Sequence, residues 1–141
     1  MKDGFIKVAA CTPNVRVADC EYNAEEIIRM AQDAGTHGAK VIVMPELCIT
    51  SYTCGDLFWQ ELLLEEAKKQ LLHIAEETAK LDAVLFVGLP LEYKGKLYNT
   101  AAGICRGEIL GFVPKIHLPN YNEFYEARYF TSEQKWMASF C

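Results

Sequence analysis

The chain has 141 residues, of which 51% are hydrophobic and 23% charged, a balance that suits one globular domain able to bury roughly two-thirds of the surface its unfolded form exposes. Nineteen acids against fourteen Lys and Arg give a formal net charge of −5. No basic run exceeds Lys68-Lys69, which argues against a nucleic-acid surface and favours a small neutral or polar ligand.

Lys7 interrupts the apolar stretch begun at Phe5 before it reaches the length of a signal-peptide core. The longest apolar segment, Ala83 to Leu91, contains Gly88 and Pro90 and is too short to span a bilayer. The expectation is a cytoplasmic protein with no membrane partner. Cys11, Cys20, Cys48, Cys54, Cys105 and Cys141 form no C-x-x-C pair, and His37, His73 and His117 stand at no ligand spacing. No metal site is expected, and the thiols read as small, reduced hydrophobes.

Phe5 to Ala10 reads as a first strand, ended by the turn residues Thr12-Pro13-Asn14. Asn23 with Glu26 makes a capping-box pattern, and Ala24, Ile27, Ile28, Ala31 and Ala34 follow at helical spacing until Gly35 and Gly38. Val41 to Met44, four apolar residues rich in β-branched types, then suit a strand buried on both faces and close a βαβ unit. Asp56 is placed to cap a second helix, firm from about Glu61, with Leu64, Ala67, Leu71, Ile74 and Thr78 on one face.

Val84 to Gly88 is the next strand. Lys94-Gly95 and Arg106-Gly107 then signal two hairpins, the second between Ala101 to Cys105 and Ile109 to Val113. The order strand-helix-strand followed by antiparallel strands implies an α/β fold with a mixed sheet and helices on one face.

Two strands end alike. Met44-Pro45-Glu46 and Val113-Pro114-Lys115 each run from apolar strand to proline to charge, and proline cannot donate to a ladder, so pairing stops where the charge begins. Ligand crevices of such sheets open at the carboxyl ends of strands. If the two ends are neighbours, Glu46 is placed to accept a proton and Lys115 to stabilise an oxyanion; a solvated glutamate and a plain salt bridge are the bland readings. The aromatic run after Lys115, from Tyr121 to Phe130, reads by composition as packing before recognition.

Taken together, Pro45-Glu46 after an apolar strand, Pro114-Lys115 some seventy residues on, and Tyr121-Asn122-Glu123-Phe124-Tyr125-Glu126 resemble the nitrilase (carbon–nitrogen hydrolase) superfamily. Within it, the stretch from Pro45 to Phe58 and the run Leu118-Pro119-Asn120-Tyr121-Asn122-Glu123-Phe124-Tyr125-Glu126 resemble the glutaminase domains of glutamine-dependent NAD synthetases. The likeness extends from about Ile6 to about Phe130.

The resemblance implies part of an α-β-β-α sandwich and a Glu-Lys-Cys triad. It makes Glu46 the general base, Lys115 the support of the tetrahedral intermediate, Glu123 the second glutamate, and Tyr52 and Tyr121 lining residues of the glutamine site. The implied reaction is thiolate attack on the glutamine amide, loss of ammonia and hydrolysis of a glutamyl thioester. Ammonia would serve ATP-dependent amidation of deamido-NAD in a separate carboxyl-terminal synthetase domain. ATP, Mg and deamido-NAD belong there, no cofactor is implied for this segment, and the parent is expected to be a homo-oligomer.

The family's nucleophile motif, resembling Glu-Ile-Cys-Glu-Asp, does not occur, and Trp136 to Phe140 before Cys141 are unlike it. Residues 1–141 therefore read as the amino-terminal part of a glutaminase domain, truncated before its cysteine and inactive alone. Another amidase or nitrilase of the superfamily, and a non-catalytic fold fragment serving as an interaction module, remain the alternatives.

Overall fold

The computed structural model describes residues 4–132. One mixed sheet holds β1 (Val8–Ala10), β2 (Val41–Val43), β3 (Val84–Tyr93), β4 (Lys96–Cys105) and β5 (Glu108–Pro114) in sequential order. The first three strands are parallel and are joined by α1 (Cys20–Thr36) and α2 (Glu61–Glu77); the last three are antiparallel. This is the mixed α/β sheet expected from the order of elements. Both hairpins turn through consecutive left-handed residues, Lys94 (φ 51°) with Gly95 (71°) and Arg106 (50°) with Gly107 (83°), the backbone that matches the twist of paired strands.

The period-2 alternation of the strands decides which face is dry. Ile42, Leu85, Val87, Ala102 and Ile104 are buried in one core with Ala24, Ile27 and Ala31 of α1 and Ala67, Leu71 and Ile74 of α2. Each buried Leu or Ile there contributes about 1.5–3 kcal/mol before entropy is counted. The opposite face carries Val8, Val43 and Leu110, which are 63%, 45% and 58% exposed, with the Phe86 ring resting on Gly103. No helix among the described residues is long and apolar enough to cross a membrane.

Two caps differ from expectation. The amino-terminal cap of α1 is Asp19, whose carboxylate accepts the Tyr22 N–H at 3.2 Å; Asn23 lies one turn inside and is fully buried. Its side chain instead ties two loops together, accepting from the Arg16 N–H and donating to the Arg16 and Ile49 carbonyls at 2.7, 2.8 and 2.9 Å. A buried amide able to satisfy three backbone groups is worth more there than as a solvated cap. Asp56 lies in a 3₁₀ turn at Gly55–Trp59, and Gln60, without a side-chain bond, precedes α2. Asp56 is taken by Arg128, at 3.0 Å, and by the Tyr129 hydroxyl, at 3.2 Å.

A sheet with one bare apolar face should not stay monomeric in water. We expect chain 1–141 to self-associate, and Leu110→Glu to shift the population toward monomer without changing its circular dichroism. Size-exclusion chromatography with light scattering reads both.

Candidate active site

The site begins where β2 stops. Met44 N–H donates to the Phe86 carbonyl at 2.9 Å, continuing the β2–β3 ladder, and Pro45 then ends it. Leu47 takes a left-handed conformation (φ 51°), which swings the chain inward so that Leu47 to Ser51 form a buried plug while Glu46 stays at the mouth. A non-glycine residue in that region is held there by its surroundings. The turn runs directly over Gly88: a Cβ at that position would lie 2.4 Å from the Leu47 nitrogen and 2.7 Å from the Pro45 carbonyl oxygen. The Ile49 N–H donates to the Gly88 carbonyl at 3.2 Å and fastens the plug to β3.

Lys115 arrives from the other side of the crevice. Its backbone N–H donates to the Asn99 carbonyl at 2.8 Å, extending the β4–β5 ladder past Pro114, and its ammonium donates to Glu46 Oε1 at 2.7 Å. The same ammonium meets both oxygens of Glu126 at 2.9 and 3.0 Å. Glu126 is 5% exposed, and its Oε1 also accepts the Tyr52 hydroxyl at 2.7 Å. Asn99 Nδ2 donates to Glu46 Oε1 at 2.5 Å. The cluster edges a crevice of about 250 Å³ floored by Val43, Phe86, Ala101 and Val113, residues of the bare sheet face.

Burial alone would lower the Lys115 pKa, but its hydrogen bonds to Glu46 and Glu126 and their charges more than offset it, so the ammonium titrates above its ordinary range. Burial, then the hydrogen bond to Glu126, pushes the Tyr52 phenol well up, so it remains a donor at neutral pH. Glu126 is presented by a short 3₁₀ turn, Glu126–Arg128. That turn is fixed by Tyr129 and Phe130, whose rings pack against Phe58 at 5.7 and 5.1 Å, and by the Arg128–Asp56 ion pair. The aromatic run is thus divided between packing and the site.

The structure brings Glu46, Lys115 and Tyr52 together. Glu123 is exposed and does not meet Lys115; the carboxylate on the lysine is Glu126, one 3₁₀ turn further on. Glu123 rims a second depression of about 210 Å³ with Tyr52, Phe124 and Tyr129. Tyr121, 62% exposed, stands outside that depression with its ring against Phe124 at 5.7 Å. Sequence reasoning missed Glu126, Asn99 and Gly88. An Asn inside an apolar strand and a Gly in mid-strand are the signals that point to the latter two.

Among the described residues no cysteine lines the crevice. Cys48 is buried, its thiol against the Gly88 carbonyl, and burial pushes its pKa to about 12; burial likewise raises Cys11, Cys20 and Cys54. Buried, protonated thiols are poor nucleophiles. Cys105 pairs with Val84 at the opposite end of β3, six residues and about 20 Å along β4 from Asn99. Cys141 lies outside the described residues.

The mixed sheet thus delivers a carboxylate and an ammonium into one crevice from the ends of two strands. The carbon-nitrogen hydrolase family model matches residues 7–140, and the chain belongs to that family. It is 43% identical to the glutamine-dependent NAD(+) synthetase of Mycobacterium leprae over 125 residues, 89% of this chain and 18% of the relative. The Aquifex aeolicus synthetase is 40% identical over 117 residues, covering 83% of this chain and 20% of its own. The crystal structure of the glutamine-dependent NAD(+) synthetase from Cytophaga hutchinsonii superposes with a TM-score of 0.86 at 31% identity, over 92% of this chain and 22% of that one. The chain therefore spans about a fifth of the length of these relatives.

Because the plug crosses Gly88 at contact distance, Gly88→Ala should cost about 1–3 kcal/mol or more, read as a lowered urea midpoint, and should displace Glu46. The raised Lys115 pKa contributes stability that is complete below the unfolded value of about 10.4 and is lost as pH rises through the folded value. The stability gap between wild type and Lys115→Met should accordingly stay level from about pH 8 to 10 and narrow above that.

Proposed function

We propose that this chain supplies the base and the oxyanion support of a glutamine-hydrolysing site, in a protein that passes the ammonia to ATP-dependent amidation of deamido-NAD. The observation that carries the reading is one ammonium held between two carboxylates at the open carboxyl edge of the sheet. Glu46, 41% exposed at its side chain, takes the proton of a cysteine thiol; the thiolate attacks the amide carbon. Lys115 donates to the tetrahedral oxyanion, the proton held by Glu46 passes to the departing nitrogen, and ammonia leaves. Water activated by Glu46 then attacks the glutamyl thioester, releasing glutamate and restoring the thiol.

Glu126 performs the supporting task that the sequence reading gave to Glu123, because only Glu126 fixes the ammonium from behind. Tyr52 holds Glu126 in turn. Tyr121, exposed at the rim, is assigned to the glutamine approach and not to the charge cluster. The nucleophile and the facing wall come from the remaining length of the protein, as do the ATP, Mg and deamido-NAD sites. On this reading glutamine and the synthetase domain are the partners, the parent is a homo-oligomer and the reaction is cytoplasmic.

The experiment is a chimera in which residues 7–131 replace the matching segment of the Mycobacterium leprae synthetase. Glutamine-dependent ammonia release is expected, and Glu46→Gln or Lys115→Ala should each lower kcat by about 10²–10⁴-fold. Chain 1–141 alone should release none. Turnover by the isolated chain that both substitutions abolish would overturn the assignment of the nucleophile to another segment. An active chimera indifferent to both would refute the site.

A further inference from the structure

Glu46 is the most exposed of the three charged members of the cluster, at 41% against 29% for Lys115 and 6% for Glu126, so something must decide which of its oxygens faces the crevice. Two donors converge on Oε1, the Lys115 ammonium and the Asn99 amide, and Oε2 receives no hydrogen bond from either. Asn99 differs from the lysine in having almost no freedom. It is 3% exposed, it lies in the paired region of β4 opposite Pro90, and its carbonyl accepts the Lys115 N–H. The next residue, Thr100, locks the strand further by donating its hydroxyl to the Leu89 carbonyl at 3.0 Å.

Asn99 thus touches both partners of the ion pair, the carboxylate through its amide and the lysine through its backbone. We propose that Asn99 is a positioning residue: it pins Glu46 Oε1 against Lys115 so that Oε2 alone is presented to the crevice as the base. A lysine tether by itself rotates with a flexible four-carbon stem, whereas a strand-held amide fixes the carboxylate plane. The buried donor also has a cost if unmade, since an amide left without a partner at that depth is desolvated for nothing, which holds Glu46 inward.

This inference rests on the proposed role of Glu46, but the geometry is testable without turnover. The probe is the Lys115 side chain, followed by ¹H–¹³C NMR at its Cε in ¹³C-lysine-labelled chain carrying Leu110→Glu, and assigned by Lys115→Arg. Glu46→Gln should lower the Lys115 pKa, because one of its two carboxylate partners is neutralised. If Asn99 pins Glu46, Asn99→Leu should lower it to nearly the same degree, and the double substitution should add little. Asn99→Ser, too short to reach, should act in the same direction and serves if the leucine variant does not fold.

A Lys115 titration that both Asn99 variants leave at its wild-type position, while Glu46→Gln moves it, would overturn the proposal and leave the hydrolase reading intact. In the chimera, Asn99→Leu should lower kcat at least tenfold with KM changed less than twofold. A change confined to KM would place Asn99 in substrate binding and refute the positioning role.

Discussion

Everything at the candidate site depends on one ammonium standing between two carboxylates. Glu46, Lys115 and Glu126 come from a strand-end turn, a second strand end and a 3₁₀ turn, and the Lys115 ammonium bonds to both of the others. Two carboxylates this close would repel, and burying Glu126 unpaired would cost several kcal/mol. Lys115 removes both penalties, and Tyr52 and Asn99 satisfy oxygens that it leaves over. The arrangement is stable because every charge has a partner. It opens on the crevice through Glu46 and Lys115, while Glu126 stays buried behind them.

The fold around the cluster was readable in proportion to how regular it is. An apolar run located β2, the Lys94-Gly95 and Arg106-Gly107 turns located both hairpins and helical spacing located α2; β2, expected to be buried on both faces, is covered on one, with Val43 45% exposed. The proline near each strand end marked Glu46 and Lys115: β2 stops at Pro45, whereas the Lys115 N–H carries the β4–β5 ladder one residue past Pro114. Glu126 follows no period. It reaches Lys115 because Tyr129 and Phe130 lodge against Phe58, nearly seventy residues away in sequence, and local spacing carries no record of that contact. Glu123, earlier in the same irregular stretch, offered the same side chain with the wrong exposure.

Asn23 and Asp56 illustrate a second reason for divergence. Both are residues that cap helices in isolation, and each is used for a long-range bond instead. At Asn23 a cap is worth about 1 kcal/mol, while the buried Ile49 carbonyl left unpaired costs up to about 3 kcal/mol, so the tertiary demand wins. Gly88 and Asn99 are the converse case. Each breaks the local preference of a strand, and each touches the Glu46 segment, so the exceptions to propensity point to the site.

The cysteines complete the logic by their placement. Cys48 lies within the plug and Cys54 just beyond it, yet their thiols are turned onto backbone carbonyls and their pKa values are raised by burial, so they serve as packing volume. The crevice, meanwhile, is floored by the bare sheet face, and Glu46 and Lys115 stand at its edge with one side open. In the proposed function, the reacting atom reaches Glu46 and Lys115 from that open side. The apolar residues Val43 and Leu110 and the polar cluster therefore make the same demand: whatever covers the sheet is also what completes the site.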